Sequence, residues 1–373
     1  MKKIVVLGGY GNFGKRIVEE LSQLTDIELY VAGRNIQKAR HLINQLSSQS
    51  KAELLPLAID ISSTNFQNQL QALAPFLVIH TSGPFQGQDY RVPEACIDIG
   101  AHYIDLADDR RFVCDITQLD IKANNNRVLA VSGASSVPGL SSVILDHYRS
   151  QFSQINTIDI AIAPGNKAER GEATIRGILS YTGHPFPVFK NSQWVNAYGW
   201  MDSRKINFND GDEIRPLANV DVPDLELFPK RYSVTETVKF QAGLELKLLH
   251  QTMVFMAWLV KKKIIKNWAP LTKPIMKTSN LLKSFGTDRG YMRVLIEGKD
   301  LRLKPKVFEW TLTADKGVGP YIPTLSAIII AKKLINDQLE IRGAMPCLGL
   351  YTLDEFFPYA NQLELQIREQ TIG

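Results

Sequence analysis

Cysteine is scarce in this sequence, and the marks of a secreted or membrane-spanning protein are missing. Its 373 residues contain three cysteines, Cys96, Cys114 and Cys347, an odd number without the spacing of a metal site. We expect reduced thiols packed as small apolar residues, with no disulfide framework and no bound metal. No apolar run reaches the ~18 residues that cross a bilayer, and the first residues lack a signal-peptide pattern. These absences favour a cytoplasmic protein, and the length predicts two domains.

A glycine-rich turn near the start carries the first functional signal. The apolar run 4–7 leads into G-x-G-x-x-G, formed by Gly9, Gly11 and Gly14, and residues 15–21 follow with helical spacing. In this strand–turn–helix context Gly9 permits the turn, Gly11 lets the backbone approach a pyrophosphate, and Gly14 allows close packing of helix and strand.

Asn12 and Phe13, which lie between the second and third glycines of the motif, are expected to contact the cofactor through the amides at the helix start, which bind phosphates. A glycine turn that binds nothing is the alternative. The strand before it and the helix after it favour a dinucleotide site.

The end of the second predicted strand, 28–32, indicates which dinucleotide binds. NAD enzymes usually carry an acidic residue here, which accepts hydrogen bonds from the ribose hydroxyls. This chain has Gly33-Arg34-Asn35 instead, with Lys38 one turn later. A guanidinium can bind the 2′-phosphate of NADP with paired hydrogen bonds. We therefore expect NADP rather than NAD, with a solvated loop charge as the other interpretation of Arg34.

Strand and helix patterns alternate through the first 140 residues. The further strands are predicted at 54–59, 76–81, 103–106 and 128–131, with helices between them, as at 36–46 and 91–99. This alternation predicts an α/β fold, a doubly wound parallel Rossmann sheet covered by helices on both faces. Pro56 lies inside the third strand. In the order 3-2-1-4-5-6 that strand is at the sheet edge, where proline is tolerated.

The pattern changes after residue 140. Residues 157–163 alternate as a half-buried strand, Asp210-Gly211 and 297–300 read as hairpin turns, and 307–314 is a further strand. We therefore expect residues 141–319 to form an α+β domain on a largely antiparallel sheet. An apolar helix at 325–334 suggests that the segment 320–373 returns to complete the first domain, 1–140.

Several blocks of this sequence resemble a known family. The blocks in the first domain are Gly83-Pro84-Phe85, 92–96, 100–105 and 136–140, and later ones are 288–294, 319–323 and 343–350. They resemble the saccharopine dehydrogenase-like oxidoreductases, the later blocks its less-studied members. The resemblance implies a nicotinamide-dependent oxidoreductase whose second domain carries substrate contacts and often a homodimer interface. It does not imply that saccharopine is the substrate.

Ligands of a doubly wound sheet bind outside the carboxyl ends of its strands. Ser82, Gly83 and Pro84 follow strand four and are expected to line the nicotinamide ribose. Asp60 ends strand three, where it can hydrogen-bond the adenine amino group or serve equally as a turn or cap carboxylate.

Tyr103, Asp105 and Asp108 cluster at the end of strand five and are the candidate proton donors for a hydride transfer to or from a C=N, C=O or C=C bond. Tyr103 can instead be a core aromatic residue, and Asp108 or its neighbour Asp109 can cap the following helix. Because none of these residues is singled out, a protein that binds NADP as a sensor and catalyses nothing stays open.

The segment 246–287 does not have the composition of ordinary surface. It contains no acidic residue and eight lysines, at 247, 261, 262, 263, 266, 273, 277 and 283. The whole chain carries +5, so subtracting this +8 leaves −3 for the rest.

Trp258, Trp268 and many aliphatic side chains lie among these lysines, a composition of membrane-surface helices. We expect peripheral membrane contact or a lipid precursor as substrate. Two amphipathic helices packed on the second domain with solvated lysines are the alternative, and another anionic partner is a third. Nucleic acid is disfavoured because the segment has no arginine.

Overall fold

The computed structural model describes residues 1–208 and 213–372, so the expected turn at Asp210-Gly211 lies outside the described residues. Two compact units are present. The first comprises Met1–Leu140 and Tyr321–Tyr351, and the second comprises Ser141–Pro320 and the residues from Thr352 onward. Each unit has its own seven-stranded sheet.

The first unit is built on a parallel sheet. Its strands are β1 Lys2–Leu7, β2 Ile27–Gly33, β3 Glu53–Ala58, β4 Leu77–His80, β5 His102–Asp105, β6 Leu129–Ser132 and β15 Gly343–Pro346. They lie in the order β15-β6-β5-β4-β1-β2-β3, and every pairing is parallel. The predicted doubly wound order is confirmed, and Pro56 lies in the edge strand β3. The strand β15 extends the sheet beyond the six that were predicted.

The helices of the first unit are α1 Gly14–Leu21, α2 Ile36–Leu46, α3 Phe66–Leu73, α4 Arg91–Asp98, α5 Arg110–Cys114, α6 Asp120–Asn125 and α12 Ile322–Ile335. The amphipathic helix α1 buries Ile17, Val18 and Leu21. The apolar helix α12 packs against α1, and Lys332 donates to Glu20 at 2.6 Å. This packing explains why residues so late in the chain join the first unit.

The second unit has a mixed sheet that is mostly antiparallel. The strands of this unit are β7 Gln154–Ala163, β8 Pro185–Lys190, β9 Gln193–Tyr198, β10 Arg204–Asn207, β11 Ile214–Asn219, β12 Thr237–Gly243, β13 Gly290–Lys299, β14 Pro305–Ala314 and β16 Gln366–Ile372. The large sheet has the order β10-β11-β12-β7-β13-β14-β16, in which β12 and β7 are parallel and the other neighbours antiparallel. Strands β8 and β9 form a separate hairpin. The expected α+β character is confirmed.

The helices of this unit are α7 Ser141–Tyr148, α8 Glu172–Tyr181, α9 Asp224–Arg231, α10 Lys247–Lys261, α11 Thr272–Asn280 and α13 Leu353–Gln362. Among the described residues no helix is both long and apolar enough to span a membrane.

Two expectations for the second half of the chain differ from the structure. The segment 320–373 is divided, because β16 pairs with β14 and thereby ties the residues after 351 to the second sheet. The expected turn at 297–300 begins only at Asp300, and β13 continues to Lys299 through an irregularity at Gly298. A Cβ at Gly298 would lie 2.0 Å from the carbonyl oxygen of Gln154, so this glycine allows close strand approach rather than a turn.

Candidate cofactor site

The glycine-rich loop is held against the end of β2. The amides of Gly8 and Gly9 donate to the carbonyl oxygen of Ala32 at 2.9 and 3.0 Å, and the amide of Gly11 donates to that of Gly8 at 2.7 Å. A Cβ on Gly14 would lie 2.2 Å from the carbonyl oxygen of Gly8, so only glycine permits this approach of helix and loop.

Gly8 itself has a φ of +76°, a conformation that other residues rarely adopt. Gly8 was not among the predicted site residues. The sequence does place a glycine directly before the motif, and a glycine at a turn often adopts the left-handed backbone conformation.

The start of α1 has the features of an anion site. Phe13 occupies the N-cap and provides no side-chain cap, and the first turn contains no acidic residue. The Nη1 atom of the buried Arg16 donates to Asn12 Oδ1 at 2.7 Å, which places a guanidinium beside the loop. Backbone amides at a helix start, together with the helix dipole and this cation, favour a phosphate.

Tyr10 connects the loop to the turn after β2. Its hydroxyl accepts a hydrogen bond from the backbone amide of Asn35 at 2.8 Å, and a Cβ on Gly33 would lie 2.6 Å from the same oxygen. Asn35 caps α2, because its Oδ1 accepts from the amides of Gln37 and Lys38 at 3.0 and 3.2 Å. Sequence reasoning missed Tyr10, since no local pattern reveals a contact across 25 residues.

Arg34 and Asp60 lie at the carboxyl ends of the neighbouring strands β2 and β3. The Arg34 side chain is exposed and has no hydrogen bond or ion pair with any residue that the structure describes. Asp60 Oδ1 accepts from the amide and the hydroxyl of Ser62 at 2.9 and 2.7 Å, so this atom takes the predicted turn role. Those hydrogen bonds, with the nearby charge of Arg34, hold the pKa of Asp60 below its usual range.

The residues after β4 lie beside the glycine loop. A Cβ on Gly8 would be 2.8 Å from the hydroxyl of Ser82. Gln88 Nε2 donates to the carbonyl oxygens of Ser82 and Pro84 at 2.9 and 2.7 Å, and the Gly83–Pro84 peptide bond is cis. The structure thus places Ser82 against the loop, as the topology rule predicts, and Gly83 and Pro84 follow it in a segment held by Gln88.

Tyr103 and Asp105 are both 0% exposed and form an interior network between strand ends. Asp105 Oδ1 accepts from the amide of Ala107, the hydroxyl of Ser132 and the amide of Gly133, at 2.9, 3.0 and 2.8 Å. Burial raises the pKa of Asp105 to about 6, and these hydrogen bonds limit the increase.

The hydroxyl of Tyr103 lies 3.0 Å from Nδ1 of the buried His80, and burial lowers the pKa of His80 to about 3. Burial also raises the pKa of Tyr103 well above its usual value. Because a proton donor must reach the substrate, the complete burial of Tyr103 and Asp105 fits the structural interpretation better than the catalytic one.

Asp108 differs from these two residues because the residue as a whole is half-buried and not fully buried. Burial raises its pKa, the charge of Asp109 adds to the increase, and a hydrogen bond from Gln86 Nε2 at 3.1 Å opposes it. Asp109 is the N-cap of α5, since its Oδ1 accepts from the amide of Phe112 at 2.8 Å. Among the three candidates, Asp108 is therefore the least enclosed residue, and its pKa is also raised.

Comparison with known proteins agrees with this geometry. Residues 4–131 match the family model described as the saccharopine dehydrogenase NADP binding domain. Comparison with curated proteins gives no match. Two solved structures share the fold over the whole chain.

Saccharopine dehydrogenase (L-Glu forming) from Saccharomyces cerevisiae, in its apo form, matches with a TM-score of 0.71 and 11% identity, covering 100% of both chains. Homospermidine synthase from Legionella pneumophila, solved in complex with NAD, matches with a TM-score of 0.65 and 10% identity. That match covers 100% of this chain and 91% of the other.

Proposed function

We propose that this chain, which is saccharopine dehydrogenase-like, is an NADP-dependent oxidoreductase that transfers a hydride to or from a C=N, C=O or C=C bond of a small molecule. The observation that supports the cofactor choice is Arg34, an exposed guanidinium that makes no hydrogen bond or ion pair with a described residue. It lies at the strand end where the adenosine ribose binds in such folds. A free guanidinium there attracts the 2′-phosphate, whereas NAD offers it nothing comparable.

Titration with NADPH and NADH, followed by calorimetry or by the fluorescence of the reduced nicotinamide, tests the cofactor proposal. NADPH is expected to bind at least about tenfold more tightly, since one charge-assisted hydrogen bond contributes about 1.5–3 kcal/mol. Tighter binding of NADH would show that Arg34 has been misassigned. Binding of neither at millimolar concentration would end the oxidoreductase proposal.

We assign Asp108 as the candidate proton donor, because its raised pKa lets a carboxylic acid hold a proton nearer to neutral pH. A screen of NADPH oxidation against imines, 2-oxo acids, aldehydes and enoyl thioesters identifies the reaction class. The composition of the segment 246–287 favours a lipid precursor, so long-chain thioesters belong in the screen.

With a substrate found, Asp108→Asn should lower turnover while NADPH affinity stays unchanged. Asp26→Asn, a change of the same kind in an exposed residue that precedes β2, should leave both unchanged.

A sensor that binds NADP without catalysis is the second candidate. The complete burial of Tyr103 and Asp105 favours it, because it removes two of the three proposed proton donors. Turnover with any substrate that is lost in Asp108→Asn, with cofactor binding retained, would exclude the sensor. Tight NADPH binding without turnover throughout the screen would support it.

A further inference from the structure

The segment 246–287 leaves an unusual share of large apolar side chains in solvent. Sixteen large hydrophobic residues are exposed in the described part of the chain, and seven of them lie in these 42 residues. The seven are Leu248, Phe255, Trp258, Ile264, Leu271, Leu281 and Phe285. A dispersed set of exposed apolar residues is normal, whereas such a concentration marks an interaction surface.

The helix α10 is apolar on two faces, and one of them packs on its own unit. His250, Met256, Ala257 and Val260 are buried, and Ala257 packs in a cluster with Trp200 and Ala218. On the exposed face Phe255 is 59% exposed and stacks on Trp258 with ring centroids 6.0 Å apart. The packing of amphipathic helices on the second domain therefore accounts for one face of α10 and leaves the other unexplained.

Trp268, the second tryptophan of the segment, is partly buried. Its indole nitrogen donates to the carbonyl oxygen of Met256 at 3.0 Å, so this side chain fixes the segment after α10 to the helix. The apolar contribution after α10 comes from Ile264, Leu271 and the residues that follow α11, of which Leu281 is 75% exposed.

The lysines of the segment carry charge that nothing in the described chain neutralises. All eight are exposed, and none forms an ion pair with a described residue. Lys261 lies over the ring of Tyr198 at 4.0 Å, which leaves its charge in place. Apolar side chains surrounded by unneutralised lysines match an anionic membrane surface, which offers acyl chains beneath negative headgroups.

A small pocket beside α11 is also lined by cationic side chains. Its volume is about 110 Å³, and its lining includes Asn166, Arg170, Asn280 and Lys283, together with one carboxylate, Glu169. Burial lowers the pKa of Arg170, and its Nη2 donates to Asn166 Oδ1 at 3.2 Å. The Arg170 guanidinium, the Lys283 ammonium and the Asn280 amide can receive a phosphate or carboxylate of a lipid headgroup. Asn166 shapes the pocket without donating to a ligand, because its Nδ2 already donates to the carbonyl oxygens of Leu282 and Phe285 at 2.8 Å each.

We propose that α10, α11 and the residues up to 287 form a peripheral membrane-binding surface. Phe255, Trp258 and Leu281 enter the headgroup region of an anionic bilayer, the lysines contact its charge, and the pocket at Arg170 receives a headgroup. The proposal does not rest on the oxidoreductase activity, because membrane binding needs neither cofactor nor substrate.

Vesicle co-sedimentation of the full chain tests this surface. Vesicles of phosphatidylcholine alone and with about a quarter phosphatidylserine are compared, each at about 0.1 M and about 1 M salt. Binding is expected with phosphatidylserine at low salt, and high salt should release most of the protein because exposed charges are screened. Equal recovery in the supernatant under all four conditions would overturn the proposal, as would binding to heparin without binding to vesicles.

Matched variants separate the surface from general effects of charge and hydrophobicity. The double substitution Lys262→Glu and Lys266→Glu should weaken vesicle binding at least about tenfold, since each lysine near an anionic surface increases the binding affinity severalfold. The control Lys205→Glu with Lys299→Glu makes the same charge change at exposed lysines of the same unit and should bind as wild type does.

The double substitution Phe255→Ser and Trp258→Ser tests the contribution of the exposed apolar side chains. Its control is Trp194→Ser with Leu301→Ser, at two exposed residues outside the segment. Binding should be lost in the first pair and retained in the second. Unchanged circular dichroism and thermal unfolding establish that each variant is folded. Equal loss in the test and control pairs would contradict the proposal.

Discussion

The hydroxyl of Tyr10 accepts a hydrogen bond from the backbone amide of Asn35 at 2.8 Å, which ties the glycine-rich loop to the turn that carries Arg34. Asn35 in turn caps α2 through its own side chain. The backbone on both sides of Arg34 is therefore fixed, on one side by Gly33 under the Tyr10 ring and on the other by the helix cap. The backbone that carries the exposed Arg34 side chain is thus held in a defined position at the end of β2.

Replacing Arg34 by aspartate should invert the cofactor preference. The change removes a charge-assisted pair with the 2′-phosphate and adds repulsion, so NADPH affinity should fall by about 2–4 kcal/mol and NADH affinity should change little or rise. Parallel titrations with both cofactors measure the ratio. Lys51→Asp makes the same charge change just before β3, at the amino end of the strand, and should leave the ratio unaltered.

Gly14→Ala should abolish binding of either cofactor and destabilise the first unit. Its Cβ would meet the carbonyl oxygen of Gly8 at 2.2 Å, so the loop or α1 must move. Calorimetric titration and thermal unfolding report the two effects. Gly319→Ala is the matched control, since its Cβ would meet nothing nearer than 4.0 Å. Normal NADPH binding by Gly14→Ala would mean that the loop is not the phosphate site.

Asp105→Asn should change how stability depends on pH. The folded pKa of about 6 exceeds the ordinary 3.8, so the native state binds the proton more tightly than the unfolded chain. Ionisation of Asp105 therefore costs stability as pH rises from about 4 to about 6, and this cost persists above that range. Asparagine can accept the same three hydrogen bonds without the charge.

The free energy of unfolding of the variant, relative to that of wild type, should thus increase between about pH 4 and about pH 6 by on the order of 2–3 kcal/mol. Urea unfolding followed by circular dichroism at several pH values measures the difference. The variant must be compared with wild type at each pH, because burial lowers the pKa of His80 to about 3 and that of His102 to about 4. These two histidines make the free energy of unfolding rise with pH in both proteins, opposite to the effect of Asp105. A difference that stays constant with pH would contradict the assignment.

Asp159→Asn should destabilise the second unit by about 3–5 kcal/mol. Asp159 is buried and accepts from Arg204 Nη1 at 2.5 Å and from Arg293 Nη2 at 3.3 Å. The substitution removes the carboxylate charge that these two guanidinium groups share, and only Arg293 keeps another carboxylate partner, Glu309 at 3.3 Å. All five tryptophans lie in the second unit, which makes their fluorescence a selective probe of its unfolding.

The exposed pair Lys316–Glu364 provides the control for that substitution. Glu364→Gln should have no measurable effect, because solvent screens exposed ion pairs. Equal stability of both variants would show that the buried network around Asp159 contributes little.

Local signals in the sequence were sufficient for much of the first unit. The glycine spacing predicted the loop, and the doubly wound strand order predicted the edge position in which Pro56 is tolerated. The strand β15 could not be foreseen, since its four residues show no periodicity. It is recruited by pairing with β6 and by a hydrogen bond from the amide of Ala344 to Asp120 Oδ1 at 2.9 Å.

Sequence could locate site residues only where the rule applies that ligands bind at the carboxyl ends of parallel strands. Ser82 follows from the rule on carboxyl ends, whereas the interior position of Tyr103 depends on residues from β4, β6 and α4 that surround it. Residue type alone does not distinguish a buried tyrosine from a catalytic one. The contact between Tyr10 and Asn35 likewise exists only once β1 and β2 are paired.

The pairing of β15 with β6 also has a consequence for biosynthesis. A ribosome delivers the chain from its N-terminus, so β6 emerges more than two hundred residues before its partner Gly343–Pro346. Until then the nascent first domain has an unpaired strand edge, which is a template for intermolecular pairing. Helix α12, which covers α1, is equally late. We therefore expect the newly made N-terminal half to depend on chaperones, and fragments that stop before residue 343 to aggregate when expressed alone.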